Sequence, residues 1–500
     1  MPDGLILEPP RPGRSPDDDP EMIAGDNQLA AKHCDTGHHA VPTKRRRRRY
    51  RRCRVQCQRS RGNWRGFVAT DDRTLVDFDQ HSLTYKAGFP QISHELRSQC
   101  PVAWTEAYGG YWVISGRDVI GEMAKHPDLL SNDHDPTGAR RGYEGIAIPS
   151  PKGGTNRGGF IEMDPPEQLE YRRVLNPYLS PVAIEQWRPM VAELSHACID
   201  EVVGSGRLDF VDDLANIVPA VLTMGMLGFP LADWTIYCEP AHAMVYTPPH
   251  SPDFPRVLDQ AIQMSGKLAE EMGRARTNPR PGMLKALIDA QEKGASFVDE
   301  DILGTLTLLI GGGFDTTTSL TAHALTWLDS RPEQRQALLD DPNLLDTATE
   351  EFVRFATPAQ GGGRTITQDC QIGGHSFRSG DRVWMAYGLA NHDPQAFQEP
   401  DEIVLDRFPN RHAGFGLGVH RCIGSNLARM TFKTMLSVVL ERLKDYHLEE
   451  GGAVRYEDIG TINGYKHLPA TFSAGTLKGQ PLAQVMAEWE SRLYAGSTTA

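Results

Sequence analysis

The chain has 500 residues, of which 39% are hydrophobic and 23% charged, an ordinary globular composition that excludes a wholly disordered protein. Residues 44–65 hold twelve Lys or Arg and no Asp or Glu, so removing those charges from the net −13 leaves −25 on the rest. An acidic body argues against a nucleic-acid-binding core. Eight cysteines are too few for a disulfide scaffold, and no run reaches the about 18 apolar residues of a membrane helix. We therefore expect a cytoplasmic protein with reduced thiols and no membrane segment.

Residues 1–70 differ from the rest of the chain, because they are basic and show neither helical nor strand periodicity. We expect a disordered extension or a start codon assigned too far upstream. Two other interpretations stay open. The run KRRRRRYRRCR could bind nucleic acid or another anionic surface. Cys34, Cys53 and Cys57 could bind zinc with nearby histidines, although their spacing fits no standard zinc pattern.

Residues 71–475 form the predicted globular domain, which is mainly α with a small β portion. Apolar residues at helical spacing predict helices over residues 181–203, 212–227, 254–272, 300–328 and 343–355. Extended segments are predicted at 111–114, 364–367, 370–372 and 382–386.

Residues 476–500 form a predicted C-terminal extension with a short amphipathic helix. Its apolar residues recur at helical spacing and share one face: Leu482, Val485, Met486, Trp489 and Leu493. We expect this helix to dock on the body, with a dimer or partner contact as the alternative.

The most informative motif is FGLGVHRCIG, residues 415–424. Its three glycines allow a tight turn and a close approach to a flat ligand. A helix-compatible stretch begins at Ser425, and the N-terminus of a helix favours the thiolate form of a nearby cysteine. Cys422 therefore suits an axial metal ligand, with a buried structural cysteine as the alternative.

The motif matches F-G-x-G-x-H-x-C-x-G at all six fixed positions, and the chain resembles the cytochrome P450 family of haem-thiolate monooxygenases, soluble bacterial type. The resemblance implies a triangular prism of helices around haem b, with Cys422 as the thiolate ligand of the iron. It also implies that Phe415, Gly416 and Gly424 help to form the cofactor-binding loop.

Glu351 and Arg354 match the E-x-x-R motif of the same family. Residues at i and i+3 share a helix face, and on its own this spacing would indicate only a surface ion pair. The resemblance implies that Arg407 completes the cluster and that its role is structural, holding the cysteine loop.

A glycine triplet at residues 311–313 interrupts a predicted helix and is followed by Asp315 and Thr316. Because mid-helix glycine costs about 1 kcal/mol relative to alanine, we expect the triplet to open space for a bulky ligand. The segment resembles the family's acid–alcohol motif, which implies that Asp315 and Thr316 deliver protons to dioxygen. Peroxide-using relatives lack this pair, so its presence favours O2-dependent turnover. The alternative is a kinked core helix with Asp315 capping or paired.

The segment 163–173 resembles the family's haem-propionate motif, with Arg172 as the arginine. Gln168 stands where a histidine is usual and would bring no charge. Arg364 and His420 are the other predicted propionate ligands. For any of these arginines the alternative is a solvated surface charge.

The resemblance also indicates which residues border the substrate. Most are small or apolar, and they are Ile146, Ile148, Leu309, Gly312, Gly313, Ala359, Gln360, Gly361 and Ile462. We expect an apolar small organic substrate, and the glycines at 361–363 suggest room for a bulky one.

The sequence contains no flavin or nucleotide fingerprint and no C-x4-C-x2-C spacing. We therefore expect electrons from NAD(P)H to arrive through a separate ferredoxin and its reductase. Arg411, Arg421 and Arg429 near the cysteine would attract an acidic ferredoxin. The expected reaction is hydroxylation with one atom of O2. The alternative is a haem-thiolate sensor or ligand carrier without turnover, against which the Asp315–Thr316 pair counts.

Overall fold

The computed structural model describes residues 69–70, 73–150, 157–248 and 251–495. The basic run and the three N-terminal cysteines lie outside these residues, so the predictions made for them stay predictions. Within the described part, the strand Ala69–Thr70 pairs with Arg73–Thr74. This strand pair lies at the predicted boundary at residue 71.

Helices make up most of the described chain. They are α1 Leu83–Gln99, α2 Arg117–Met123, α3 Glu167–Leu175, α4 Pro181–Glu185, α5 Arg188–Val202, α6 Ile217–Leu227, α7 Trp234–Tyr246, α8 Phe254–Thr277, α9 Met283–Glu292, α10 Asp299–Asp329, α11 Pro332–Asp340, α12 Leu344–Ala356, α13 Tyr387–Ala390, α14 Ser425–Arg442 and α15 Leu482–Tyr494. The helices predicted at 254–272, 300–328 and 343–355 are confirmed.

Two other predicted helices are divided. Residues 181–203 form α4 and α5, which are separated at Gln186 and Trp187. Pro189 is the second residue of α5, and its ring would clash with the carbonyl of residue 185 in one continuous helix. Residues 212–227 begin as the π-helical turn Val211–Ala215 and continue as α6.

The strands are short and belong to several small sheets. They are β1 Ala69–Thr70, β2 Arg73–Thr74, β3 Val102–Thr105, β4 Tyr111–Ile114, β5 Leu130–Ser131, β6 Arg207–Asp209, β7 Gly362–Ile366, β8 Cys370–Ile372, β9 His375–Phe377, β10 Arg382–Met385, β11 His447–Leu448, β12 Val454–Arg455, β13 Tyr465–His467 and β14 Pro469–Thr471. The largest sheet has the order β3-β4-β10-β7-β5, in which β4 and β10 are parallel and the other pairs antiparallel. The expected fold class, mainly α with a small β portion, is confirmed.

Helix α10 is the longest helix and organises the core. It packs against α6, α7, α12 and α14, and most of its residues after Phe314 are buried. Its apolar neighbours join one large core cluster that includes α5, α6 and α14. Because α14 begins just after the cysteine loop, α10 and this loop are held by the same core.

Helix α15 packs on the body, as the sequence analysis expects. Val485, Trp489 and Leu493 are buried in the main core cluster, and the Trp489 indole Nε1 donates to the Glu193 carboxylate over 2.8 Å. The parts of the chain on either side of the predicted boundary at residue 475 therefore pack into one hydrophobic core. Among the described residues, no helix combines the length and apolar character needed to cross a membrane.

Candidate functional site

The cysteine loop, residues 415–424, precedes α14. The backbone N–H of Cys422 donates to the Phe415 carbonyl over 2.7 Å, which closes the loop on itself. Gly418 has a φ of +70°, and an added Cβ would lie 2.4 Å from the Ala124 carbonyl oxygen, so only glycine fits there. Gly424 is the N-cap of α14, and its backbone N–H interacts with the Cys422 sulfur. The loop thus presents the thiol at the N-terminus of a long helix.

A cleft opens beside this loop and is lined by apolar and cationic residues, among them Ile120, Met123, Leu130, Arg364, Tyr387, Leu417, Val419 and His420. The Cys422 side chain is exposed, although protein surrounds its other sides. This burial raises the pKa of the thiol, while the Gly424 N–H and the charges of Arg172, Arg421 and Arg429 oppose the rise. Burial has the larger effect and outweighs the thiolate bias expected from the helix N-terminus. A thiolate at this position needs a cation in place of the proton.

A buried ionic cluster supports the loop from α12. Arg354 makes two hydrogen bonds of 2.8 Å to the Glu351 carboxylate, and both side chains are fully buried. The Arg407 Nε donates to both Glu351 oxygens over 3.0 Å. The Asn410 amide donates to the same carboxylate over 3.0 Å. The three residues that the sequence analysis grouped, Glu351, Arg354 and Arg407, are therefore in contact with one another.

Glu350 is a second support that the sequence analysis missed. Its carboxylate accepts from the Arg429 guanidinium over 2.6 Å and from His412 over 3.0 Å. Burial raises the pKa of Glu350, but these two partners outweigh it and lower the pKa to about 2. Since Glu350 precedes Glu351 on α12, two adjacent acidic residues hold both ends of the segment that leads into α14. The only sequence signal is the Glu-Glu pair, which is common on helix surfaces.

Three side chains that can carry positive charge meet at the cleft without a carboxylate partner among the described residues. Burial, followed by the charges of Arg364 and Arg172, lowers the pKa of His420 to about 3. Burial also lowers the pKa of Arg172. Arg364 donates to the Tyr387 hydroxyl over 3.3 Å and to a backbone carbonyl. The two arginines carry positive charge without a carboxylate beside them in the described part of the chain, and the neutral His420 imidazole adds a hydrogen-bonding group. The arrangement suits an anionic group.

Gln168 lies in the first turn of α3, facing the cysteine loop, and is fully buried. Its amide Nε2 donates to the Val419 carbonyl over 3.0 Å. Its Oε1 has no hydrogen-bond partner among the described residues. In the structure this side chain holds the cysteine loop, and its donor group is already used there.

The glycine triplet of α10 divides between two faces. An added Cβ at Gly311 or Gly312 would meet nothing within 4 Å, whereas at Gly313 it would lie 2.6 Å from the Thr223 hydroxyl on α6. Gly312 is exposed, whereas Ile310, Phe314 and Asp315 in the adjoining turns are buried. The expectation of open space is therefore confirmed for two glycines. It is wrong for Gly313, which allows α6 to approach α10.

Asp315 and Thr316 point in different directions. The Thr316 hydroxyl donates to the Gly312 carbonyl over 3.2 Å, one turn earlier on the open side of α10. The Asp315 carboxylate is buried and accepts from the Tyr456 hydroxyl over 2.8 Å, with the His242 Nδ1 at 2.6 Å. The acid is thus paired away from the alcohol, as the alternative interpretation of this helix proposed, while the alcohol stays on the open side.

The predicted substrate segments come together in space. Ala359 and Ile462 form an isolated antiparallel bridge, and the Gly363 N–H donates to the Ile146 carbonyl over 2.7 Å. Ile146, Ala359 and Leu309 are partly exposed, whereas Ile148 is buried. The juxtaposition of three distant segments fits one shared pocket wall.

Two of the predicted pocket residues, Gly361 and Gln360, are in contact with protein atoms instead of open space. An added Cβ at Gly361 would lie 2.6 Å from the Trp384 ring, and at Gly363 it would lie 2.8 Å from the Ile146 carbonyl oxygen. The expectation that these glycines leave room for a bulky ligand is wrong, because protein atoms fill that space. Gln360 is also buried, and its amide donates to the Thr357 carbonyl over 2.6 Å.

The three arginines near the cysteine differ in whether their guanidinium groups are free to contact a partner protein. Arg411 and Arg421 are exposed. Arg429 is engaged by Glu350, and its guanidinium lies 4.3 Å from the centre of the Phe415 ring. Its charge is therefore largely neutralised, and it belongs to the support of the cysteine loop.

Comparisons with known proteins agree with this geometry. The sequence model described as cytochrome P450 matches residues 147–450. Vitamin D3 dihydroxylase of Streptomyces griseolus is 30% identical over 371 residues, covering 72% of this chain and 87% of the relative. Linalool 8-monooxygenase of Pseudomonas putida is 30% identical over 377 residues, covering 72% and 90%. A Bacillus megaterium cytochrome P450 crystallised with testosterone superposes with a TM-score of 0.68 at 24% identity, covering 78% and 99%.

The family match spans more than half of the chain, and the two curated relatives are named as a hydroxylase and a monooxygenase. The structural match shows the same fold. Enzymes of this family are oxidoreductases that use a haem-thiolate group, O2 and electrons from redox partner proteins. The chain belongs to the cytochrome P450 family.

Proposed function

We propose that this protein inserts one atom of O2 into a C–H bond of an apolar small organic molecule, with electrons from NAD(P)H through a separate ferredoxin and reductase. The observation that carries the proposal is the exposed Cys422 thiol beside a cleft lined by Arg364 and His420, with Arg172 close to both the thiol and His420.

The donor groups around the cleft fit haem b. Cys422 supplies the soft sulfur ligand that an iron porphyrin of this family takes, and Arg172, Arg364 and His420 fit its two propionates. Gln168 is the weakest of the predicted ligands, because its amide already donates to Val419. When bound, a haem-thiolate supplies the activation of O2 and the transfer of oxygen.

The residues of α10 would handle protons and exclude water. Gly311 and Gly312 leave space beside the helix, and Thr316 holds its hydroxyl on the same side as Gly312. A hydroxyl at this place can donate a hydrogen bond into the cleft once it releases the Gly312 carbonyl. Asp315 is the preceding residue of α10 and would renew the proton that the hydroxyl gives up.

The apolar character of the substrate rests on the pocket wall and on the relatives. Ile146, Leu309, Ala359 and Ile462 offer hydrocarbon surface, which suits an apolar ligand. Vitamin D3 and linalool, the compounds in the relatives' names, are both mostly hydrocarbon. Because Gly361 and Gly363 are occupied by neighbouring protein atoms, we propose that this wall is closed and that the pocket extends towards α10.

The ferredoxin would approach the surface near the cysteine loop. Arg411 and Arg421 are exposed and would attract an acidic partner, whereas Arg429 is held by Glu350. The docking charge is therefore smaller than the three arginines of the sequence suggest.

The experiment that tests the proposal is turnover under labelled oxygen. The holoenzyme, a ferredoxin, its reductase and NADH are incubated under 18O2 with a panel of terpenes and sterols. We expect a product with one 18O atom, formed only with all components present. Binding of panel members without oxygenated product would favour the sensor or carrier, and incorporation of oxygen from water would contradict the proposal.

A further inference from the structure

Three elements meet at Asp315: α10, which carries the acid, α7, which carries His242, and the connection between β12 and β13, which carries Tyr456. The His242 Nδ1 lies 2.6 Å from Asp315 Oδ1, and the Tyr456 hydroxyl donates to the same oxygen over 2.8 Å. The other oxygen, Oδ2, is buried and has no partner among the described residues.

The three side chains differ in their access to solvent. Asp315 and Tyr456 are each 1% exposed, whereas the His242 side chain is 11% exposed. An ionised carboxylate in such surroundings is costly without hydrogen bonds, so these two partners stabilise it. His242 is the member of the group that reaches towards solvent.

The groups that face His242 favour proton transfer to Asp315 over other routes. Apart from Asp315 and Tyr456, the ring packs against Phe314 and against Tyr246, whose ring centre is 4.9 Å away. Burial raises the pKa of both tyrosines, so both stay neutral phenols. The Lys466 ammonium lies over the Tyr246 ring, with its Nζ 4.8 Å from the ring centre. Asp315 is therefore the acidic charge in contact with the imidazole.

We propose that His242 passes protons from solvent to Asp315 and that Tyr456 is a positioning residue for the carboxylate. This inference rests on the proposed function, in which Asp315 renews the proton of Thr316. It explains how an acid that is closed off from solvent can be used in every turnover.

The transfer balances within this group. The N–H bond at Nδ1 of the imidazolium breaks, its electron pair stays on the ring, and an O–H bond forms at Asp315 Oδ1. The neutral ring keeps its other proton on Nε2, so it regains the imidazolium form when the ring turns and the vacated Nδ1 takes a proton from solvent. Because Asp315 and Thr316 point in different directions, delivery of this proton to Thr316 requires the whole Asp315 side chain to rotate away from His242 and Tyr456.

Two substitutions of His242 separate proton transfer from positioning. In His242→Asn, the side-chain amide can replace Nδ1 as a hydrogen-bond donor but cannot carry a proton between solvent and the acid. His242→Phe removes both abilities and keeps a ring against Phe314 and Tyr246. The control is His323→Gln, a second histidine next to α10 that contacts the Asn463 carbonyl rather than an acid.

In turnover, the fraction of electrons lost to hydrogen peroxide and the solvent deuterium isotope effect are measured for each variant. We expect both His242 variants to form product about tenfold more slowly, with more peroxide and a larger isotope effect. His323→Gln should match the wild type in rate and in peroxide formation. The spectrum of the reduced, CO-bound form should be the same in all of these variants. Wild-type rates and coupling in His242→Asn would overturn the proton-transfer role, because its hydrogen bond is kept.

A second measurement does not depend on turnover. The infrared band of the Asp315 carboxyl group, identified by its loss in Asp315→Asn, is followed in the holoenzyme after a pH jump. We expect a response in the wild type that slows about tenfold in both His242 variants. We also expect a shifted band in Tyr456→Phe. No infrared response in the wild type, or the same rate in the wild type and the His242 variants, would overturn the proton-transfer proposal, whether or not a product is found. The expected infrared response without an 18O-labelled product would count only against the proposed function.

Discussion

Two groups of charged side chains flank the cysteine loop, and they are built in opposite ways. On the α12 side, Glu350, Glu351, Arg354 and Arg407 are paired with one another or with neighbours over 2.6–3.0 Å. On the cleft side, Arg172, Arg364 and His420 have no carboxylate partner among the described residues. A paired buried charge is already neutralised within the fold. An unpaired buried charge marks a place where a ligand would supply the opposite charge.

The largest expected effect comes from breaking the paired side. Arg354→Ala leaves the buried Glu351 carboxylate without its main partner, which costs about 3–5 kcal/mol of the free energy of unfolding. The matched control is Glu270→Ala, which breaks the exposed Lys267–Glu270 pair and should cost less than about 1 kcal/mol. Urea unfolding of the holoenzyme measures both. Equal losses in the two variants would mean that the buried cluster does not support the loop.

The pH dependence of stability separates a paired acid from a buried base. Glu350 has its pKa lowered to about 2, so its contribution is present above pH 4.5 and is lost as the pH falls from 4.5 towards 2. Burial and the charge of Arg455 lower the pKa of His323 to about 4, so the folded state resists its protonation and loses stability as the pH falls from 6.5 towards 4. Each effect is on the order of 3 kcal/mol.

Unfolding midpoints measured across these two pH ranges test this assignment. His323→Gln should flatten the profile between pH 6.5 and 4, and Glu350→Gln should flatten it between 4.5 and 2. A profile that neither variant alters would show that other groups control the acid sensitivity.

On the unpaired side, the expected effect is on haem retention rather than on stability. Arg172→Met removes a half-buried charge that has no carboxylate partner in the described part of the chain, and charged hydrogen bonds to a ligand contribute about 1.5–3 kcal/mol. We expect haem to transfer to excess apomyoglobin roughly 10- to 100-fold faster. The control is the exposed neighbour Arg173→Met, which should behave as the wild type. Slower folding or lower stability without faster haem loss would place Arg172 in the structural group instead.

The smallest effect concerns the arginines that face a redox partner. Arg421→Gln should slow reduction by ferredoxin about two- to fivefold and reduce its dependence on salt. Arg429→Gln should act mainly on stability, because its partner Glu350 is left buried. Stopped-flow reduction at several ionic strengths distinguishes the two. An equal effect of both on the salt dependence would mean that Arg429 also meets the partner.

Local patterns made much of this structure predictable. The cysteine loop and the Glu351–Arg354 pair have fixed short spacings that the backbone geometry enforces, and α10 and α12 have clear helical periodicity. The break at Pro189 follows from the same local chemistry, although periodicity alone concealed it. Residues far apart in sequence were harder to group, except where a family motif joined them, as for Arg407.

The partners of Asp315 could not be predicted, because His242 and Tyr456 lie 73 and 141 positions away and no spacing rule connects them. The expectation that the glycines leave open space was wrong at some positions for a related reason. The sequence does not say whether the space beside a glycine is open, as at Gly312, or filled by protein atoms, as at Gly361 and Gly313.

The absorption spectrum of the reduced, CO-bound protein tests the assignment of Cys422 most directly. We predict a strongly red-shifted Soret band of a thiolate-ligated haem in the wild type and in Cys370→Ala, which removes a cysteine of strand β8. In Cys422→Ala this band should be absent. A wild-type spectrum without the band, or a band that survives in Cys422→Ala, would contradict the central claim that this thiol is the ligand of the iron.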